Sequence, residues 1–150
     1  MTTQLQVEIK KVAAEDVRPL RHIELRKGQD FSTTSYLKDY EAGTFHMACI
    51  VGDKTVTCAT FYPEKSIIIK SDNAYRLRGM ATDFNFQRKG YASDLMEESF
   101  KELKNRDCGM VWCNARLVAV DFYKSIGFKI IGELFDIEGI GPHYYMYKEI

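Results

Sequence analysis

Proline is scarce: three residues in 150. No stretch rich in Pro, Gly or Ser interrupts the chain, so the composition marks no linker between folding units. Charge of one sign is lacking too, because 21 Lys and Arg stand against 21 Asp and Glu, a formal net charge of zero. That excludes the broad basic footprint of a nucleic-acid binder or of a protein drawn to anionic membranes, and any anion the chain binds must be held locally. No apolar run approaches the roughly 18–20 residues of a membrane span. Residues 1–6 carry neither the basic start nor the apolar stretch of an export signal. A cytoplasmic protein with no membrane partner is the expectation. Cysteine is limited to Cys49, Cys58, Cys108 and Cys113. Their spacing matches no zinc-ligand pattern, so no metal is expected, and inside a cell they read as free thiols. Cys49 and Cys58 would face each other if their hairpin turned at Asp53-Lys54; reduced thiols are still the expectation.

What is present suits one globular domain spanning 1–150: the chain is 45% hydrophobic, 13% aromatic and 28% charged, and a chain of this length buries roughly 68–70% of its unfolded surface. The alternation of Val7 and Ile9 predicts a strand over 6–11. A helix follows over 14–27, with Asp16 near its cap, Pro19 acceptable only near its first turn, and Val17, Leu20, Ile23 or Glu24 and Leu25 at mixed helical spacing. Residues 28–43 are polar and aromatic, with a short helix expected around 36–40. Gly52-Asp53-Lys54 joins two β-rich runs, 44–51 and 55–62, into a hairpin that Pro63 stops. A strand is expected over 75–83, where Gly79 breaks the alternation as a bulge would. The best helix covers 92–106, with Leu95, Met96, Ser99, Phe100 and Leu103 on one side and Glu97 four residues before Lys101. A strand over 110–114, a helix over 116–126 closed by Gly127, and strands over 128–135 and 143–148 complete the chain. The alternation in the second half implies crossovers and parallel pairing, while the hairpin implies antiparallel pairing. The class is therefore α/β (α+β), with a mixed sheet and helices on its faces.

One segment points to chemistry. Gln87-Arg88-Lys89-Gly90-Tyr91-Ala92 lies between a strand and the start of the best helix. Unbonded N–H groups at a helix start, with a dipole equivalent to about +0.5 charge, favour a phosphate there. Arg88 and Lys89 add two cations. The competing reading is a tight turn at Gly90 with two solvated side chains. The segment lacks the GxxxxGK[ST] of a nucleotidase P-loop and the GxGxxG of a dinucleotide fold.

These residues resemble a known family. Gln87 to Ala92 fits the Q/R-x-x-G-x-G/A signature of the GNAT N-acetyltransferases. The likeness extends through Leu77-Arg78-Gly79-Met80-Ala81-Thr82, Asn114-Ala115-Arg116 and the run Ala119-Val120-Asp121-Phe122-Tyr123-Lys124-Ser125-Ile126-Gly127-Phe128. The resemblance implies a strongly twisted sheet of six or seven strands flanked by about four helices. It also implies acetyl-coenzyme A as co-substrate, with its pyrophosphate on the amides of Arg88, Lys89, Gly90, Tyr91 and Ala92 next to Gln87. The pantetheine arm would pair with backbone groups of Met80, Ala81 and Thr82, Asn114 would face it, and Lys124 would lie near the adenosine. A homodimer follows by the same analogy.

The implied reaction is attack of an amine on the thioester carbonyl. An amine with a reference pKa of about 10.4 must arrive neutral, the oxyanion needs an N–H donor and the departing thiolate a proton. The resemblance places Tyr123 as that acid; the alternative is an aromatic packed on its helix. Asp136, Glu138 and His143, in a glycine-rich connection over 134–143, are candidate bases, and His143 has the best-matched reference pKa, about 6.5. It equally suits a hydrogen-bonded histidine at a strand start. His22 and His46 read as structural or exposed. Arg76 and Arg78 share a strand face and either hold an anionic acceptor or pair with carboxylates. Trp112, Tyr144, Tyr145 and Tyr147 read as packing. The expected function is acetyl transfer to a primary amine of a small molecule by direct attack. A covalent route through Cys113, a non-catalytic acyl-coenzyme A module and transfer to protein N-termini or lysines are the alternatives.

Overall fold

The computed structural model describes residues 5–150. Seven strands run through it: β1 (Val7–Val12), β2 (Phe45–Val51), β3 (Lys54–Pro63), β4 (Ala74–Thr82), β5 (Met110–Arg116), β6 (Lys129–Ile137) and β7 (Gly141–Glu149). They follow the order β1-β2-β3-β4-β5-β7-β6. Three α-helices accompany them: α1 (Ala14–Leu25), α2 (Tyr91–Asn105) and α3 (Val120–Ser125). The mixed α+β sheet flanked by helices is as expected; among the described residues the three helices are accompanied by short 3-10 turns at Phe31–Thr34, Phe84–Phe86 and Leu117–Ala119. Two compact units divide the chain, Met1–Tyr62 with Gly79–Lys101 and Pro63–Arg78 with Glu102–Ile150.

In the first unit, β1 pairs antiparallel with β2, and β2 with β3. The hairpin opens with Val51 against Lys54, and its register then slips between Cys49 and Ile50. The slip sets Cys58 against Ala48 and Cys49 against Thr57, so the two thiols are not opposite; all four cysteines are free and buried. Asp16 helps start α1 by accepting from the Ala13 N–H at 3.1 Å. Pro19 sits inside the helix rather than in its first turn. The inner face of α1 is Ala14, Val17, Leu20 and Arg21, whereas Ile23 is 60% exposed. Val17 and Leu20 pack with Cys58 and Ala81 into a core flanked by Val12 and Leu25. The short helix expected around 36–40 is absent. A 3-10 turn forms earlier, at Phe31–Thr34, because the Asp30 carboxylate accepts from the Ser32 N–H at 2.9 Å and caps it there.

In the second unit, the first three residues of β4 pair in parallel with the first three of β5, Ala74 to Arg76 against Met110 to Trp112. β5 pairs antiparallel with β7 along its whole length, from Met110 against Glu149 to Arg116 against His143. That ladder holds Arg116 extended, so the expected helix over 116–126 is instead a strand end, a 3-10 turn and the short α3. α3 closes as expected: Gly127 takes φ +103° while the Phe128 N–H reaches the Tyr123 carbonyl at 2.9 Å. α2 ends on the same motif with Asp107 left-handed, the Cys108 N–H donating to the Leu103 carbonyl at 3.0 Å. On its surface Lys101 pairs with Glu98 at 2.9 Å rather than with the expected Glu97. β6 and β7 form a hairpin whose register extends to Ile137 against Gly141, so the expected long connection over 134–143 shrinks to a turn at 138–140. Ala74, Met110, Trp112 and Tyr145 form one buried cluster of this unit, the last two stacked at 4.9 Å. Among the described residues no helix is long and apolar enough to cross a membrane.

The inner and outer faces of α1 separate two substitutions. Leu20→Ala removes a side chain only 4% exposed and should cost roughly 2–5 kcal/mol. Ile23→Ala should stay within about 0.5 kcal/mol. Urea midpoints of the two variants, with unchanged slope, check the assignment.

Candidate active site

The first unit carries the segment from Gly79 to Ala92. β4 turns at Gly79, whose φ is +65°. Beyond Thr82 the chain is pinned: the Asp83 N–H donates to the Val56 carbonyl at 2.8 Å, and the Asp83 carboxylate accepts from the Asn85 N–H at 2.9 Å. From α1 the Glu24 carboxylate accepts from the Phe84 N–H at 3.1 Å. The Gln87 side-chain amide reaches back to the Thr82 carbonyl at 3.3 Å.

Arg88 then takes φ +61° and Gly90 φ +85°. For a residue with a Cβ that conformation costs roughly 1–2 kcal/mol. Asn73 and Asp107, the other non-glycine residues with positive φ among the described residues, are of the short polar types that tolerate it. Arg88 is not, so the turn is imposed by the surrounding bonds. Its result is a helix start with open donors. The Asp94 N–H bonds the Gly90 carbonyl at 3.0 Å, which leaves the N–H groups of Tyr91, Ala92 and Ser93 with no carbonyl partner inside α2. A Cβ on Gly90 would meet nothing within 4 Å. Glycine is therefore required here by the backbone angle, while the space beside it is open to a ligand.

Cations surround the turn. Arg88 and Lys89 are exposed on it. The Lys89 ammonium lies 5.8 Å from the Phe86 ring centroid and the Lys54 ammonium 5.4 Å from the same ring. Lys54 also pairs with Asp83 at 3.2 Å. Sequence reasoning missed Lys54, which reads as an ordinary hairpin-turn residue. No local signal marks it, because its place follows from the start of β3 lying beside the end of β4, where the Asp83 N–H meets the Val56 carbonyl.

The second unit carries the remaining candidates. Asn114 is half-buried on β5 opposite Tyr145, and Lys124 is exposed on α3. Tyr123 is 6% exposed, its ring 5.2 Å from that of Phe128 and 5.4 Å from that of Phe122. Burial, with Cys113 adding to it and Arg116 opposing, raises the phenol well above its ordinary value, so the proton stays on oxygen. His143 is buried in β7, stacked on Phe135 at 6.0 Å, with Nδ1 2.8 Å from the Gly141 carbonyl. A proton on Nδ1 satisfies that carbonyl and leaves the Nε2 lone pair available as a base. Asp136 and Glu138 are exposed at the hairpin end. Of the two readings of Arg76, carboxylate pairing holds: its guanidinium bonds Glu64 at 3.2 Å and lies 4.9 Å over Trp112. Cys113 is buried and burial raises its thiol strongly, so it lacks the thiolate that a covalent route needs.

With this geometry in place, comparison with known proteins decides the family. The model of the acetyltransferase (GNAT) domain matches residues 29–150. The chain belongs to the GNAT acetyltransferase family. An uncharacterized N-acetyltransferase of Bacillus subtilis (strain 168), YitI, is 35% identical over 144 residues, covering 96% of this chain and 97% of that protein. Among solved structures, an aminoglycoside 6'-N-acetyltransferase complexed with coenzyme A shares the fold at TM-score 0.77 and 13% identity, over 95% of this chain and 96% of that one. A GNAT acetyltransferase from Streptococcus pneumoniae does so at TM-score 0.72 and 15% identity, over 97% and 100%. This GNAT chain is thus an N-acetyltransferase; the matched residues begin just before the 3-10 turn at Phe31–Thr34, and β1 and α1 precede them.

Two outcomes follow. Gly90→Ala should destabilise by roughly 1–2 kcal/mol through its backbone angle alone, read as a lowered urea midpoint. Alkaline stability should also fall. Burial pushes the Cys58 thiol from its ordinary 9.0 up to about 12, so between those values the unfolded chain ionises and the folded one does not. The folded state then binds the extra proton, and stability, flat below that window, declines as pH rises through it by about 1.4 kcal/mol per pH unit for this one group. Cys58→Ala should shallow the decline in a pH series of urea unfolding curves.

Proposed function

We propose that this enzyme transfers the acetyl group of acetyl-coenzyme A to a primary amine of a small molecule in the cytoplasm, by direct attack within a ternary complex. One observation carries the reading: the left-handed turn at Arg88 and Gly90, which opens α2 with unpaired N–H groups beside two exposed cations. Such a helix start suits a diphosphate, because directed hydrogen bonds and the helix dipole act on the same anion. The aminoglycoside acetyltransferase that shares the fold holds coenzyme A, which supports the same ligand here.

Bound acetyl-coenzyme A supplies an acyl group activated as a thioester. The chain's own groups do the rest. The backbone amides of Lys89, Gly90, Tyr91 and Ala92, with the Arg88 and Lys89 side chains, hold phosphate, and Gln87 braces the turn through Thr82. Backbone groups of Met80, Ala81 and Thr82 hold the pantetheine arm, and an N–H among them faces the carbonyl oxygen as negative charge develops on it. Asn114 and Lys124 contact the arm and the adenosine end. His143 takes the ammonium proton at Nε2, either directly or through water, while its Nδ1 stays bonded to Gly141. Tyr123 donates a hydrogen bond to the departing sulfur, and burial keeps its proton in place for that task. Neutral overall charge favours a small acceptor over an extended charged partner.

Free-thiol release from acetyl-coenzyme A over a panel of amines tests the reading. Turnover is expected with at least one amine, and Gly90→Asp should abolish coenzyme A binding by placing a carboxylate where phosphate sits. Tyr123→Phe should lower kcat by roughly 10²–10⁴-fold and leave calorimetric coenzyme A affinity unchanged. Binding without turnover on any amine would identify a non-catalytic acyl-coenzyme A module instead.

A further inference from the structure

Arg21 lies mid-way along α1, and its side chain and that of Asp39 have no exposed surface. Four guanidinium donors are used. Nη1 bonds Asp39 Oδ2 at 2.8 Å and the Thr34 carbonyl at 2.7 Å; Nη2 bonds Asp39 Oδ1 at 3.0 Å and Thr60 Oγ1 at 2.6 Å. Asp39 is fixed in turn by the Tyr36 N–H at 2.9 Å. The fifth donor, on Nε, is buried without a hydrogen-bond partner. It faces Gly79, where a Cβ would stand 3.0 Å from Arg21 Nε and 3.2 Å from Tyr36 Cε2. The Tyr36 ring backs the guanidinium, with the Arg21 Cζ 3.8 Å from its centroid.

Stability does not explain this arrangement. A buried ion pair is commonly matched or exceeded by apolar side chains of the same volume, and a donor left unbonded adds a further cost. What the arrangement does uniquely is press two rigid groups against the α-carbon of Gly79, where φ is +65°. On the other side the Cys58 thiol donates to the Gly79 carbonyl at 3.5 Å. That carbonyl and the Met80 N–H belong to one planar peptide unit, so fixing the first fixes the direction of the second.

We propose that Arg21, set by Asp39, is a positioning residue for acetyl transfer: with Tyr36 it walls the Gly79 turn and thereby aims the backbone groups of Met80 and Ala81 at the acyl group. This rests on the reading that those groups hold the acetyl-bearing arm. Arg21 itself touches neither substrate. Its removal changes the rate through geometry, leaving the phosphate turn intact.

Two variants test it. Arg21→Lys keeps the charge and loses the planar fork; the double variant R21M/D39L replaces the pair with apolar side chains. Arg21→Lys should reduce kcat with the best amine of the panel by roughly tenfold to a hundredfold, with calorimetric affinity for coenzyme A unchanged. Amide hydrogen exchange should quicken at Met80 and Ala81 and not at Leu95 or Met96. The double variant should recover the wild-type melting temperature without recovering kcat. Recovery of kcat along with melting temperature would overturn the proposal, as would unaltered exchange at Met80 in Arg21→Lys, the result that decides if the double variant does not fold. Wild-type protein that binds no coenzyme A would instead sink the underlying reading, and the proposal with it.

Discussion

The connections around α1 in the first unit are organised by an ion pair closed off from water. Arg21 reaches from α1 to the Thr34 carbonyl at the end of the 3-10 turn, to Asp39 in the following loop and to Thr60 on β3. Thr60 also meets His46 Nδ1 at 2.7 Å, while His46 Nε2 meets the Asp39 carbonyl at 3.0 Å. One guanidinium thus ties a helix, an irregular connection and two strands together. The electrostatics follow from that closure. Burial acts to raise the Asp39 carboxyl, yet the hydrogen bonds and charge of Arg21 and the Tyr36 N–H outweigh it and hold the group below its ordinary value. Burial lowers His46, against the opposing pull of Asp39. The imidazole therefore serves the network as a neutral linker.

A loop of polar and aromatic residues over 28–43 gains its shape from this network. Such a connection has little apolar surface to bury, so its backbone must be ordered by specific bonds. Thr34 and Asp39 are buried within it while Leu37 is 93% exposed, an inversion of the usual pattern. The apolar side chain is left outside because the polar ones are needed inside to satisfy Arg21.

The turn at Gly90 and the family likeness are legible because they are local. Gly90, the residues flanking it and the run closing on Gly127-Phe128 express backbone requirements that neighbouring residues state directly. The β2–β3 hairpin and the ends of β4 and α2 were legible for the same reason. What sequence could not supply depended on long-range partners. Arg116 sits in a helix-like pattern and is extended, since His143, far along the chain, pairs with it. Residues 134–143 were read as a loop from their glycines, and most of them are hairpin, since β7 supplies a ladder. Nothing in the sequence alone marks Arg21. Its place beside Val17 and Leu20 on the helical stripe was visible, but an arginine on an inner face becomes intelligible only when its carboxylate, eighteen positions later, is seen to be buried too.

Three left-handed positions lie close together in the chain: Gly79 within β4, then Arg88 and Gly90 between β4 and α2. The two glycines adopt such angles freely, whereas Arg88 costs conformational free energy because it carries a side chain. The groups that hold the segment come from elsewhere in its unit: Glu24 from α1 and Val56 and Cys58 from β3 by hydrogen bonds, and Arg21 from α1 by close packing on Gly79. Both contributors also bury the core formed by Val17, Leu20, Cys58 and Ala81. The apolar packing that makes the unit stable and the polar contacts that bend β4 and its loop thus use the same two elements. A substitution on the inner face of α1 is therefore coupled to the geometry of β4 at Gly79.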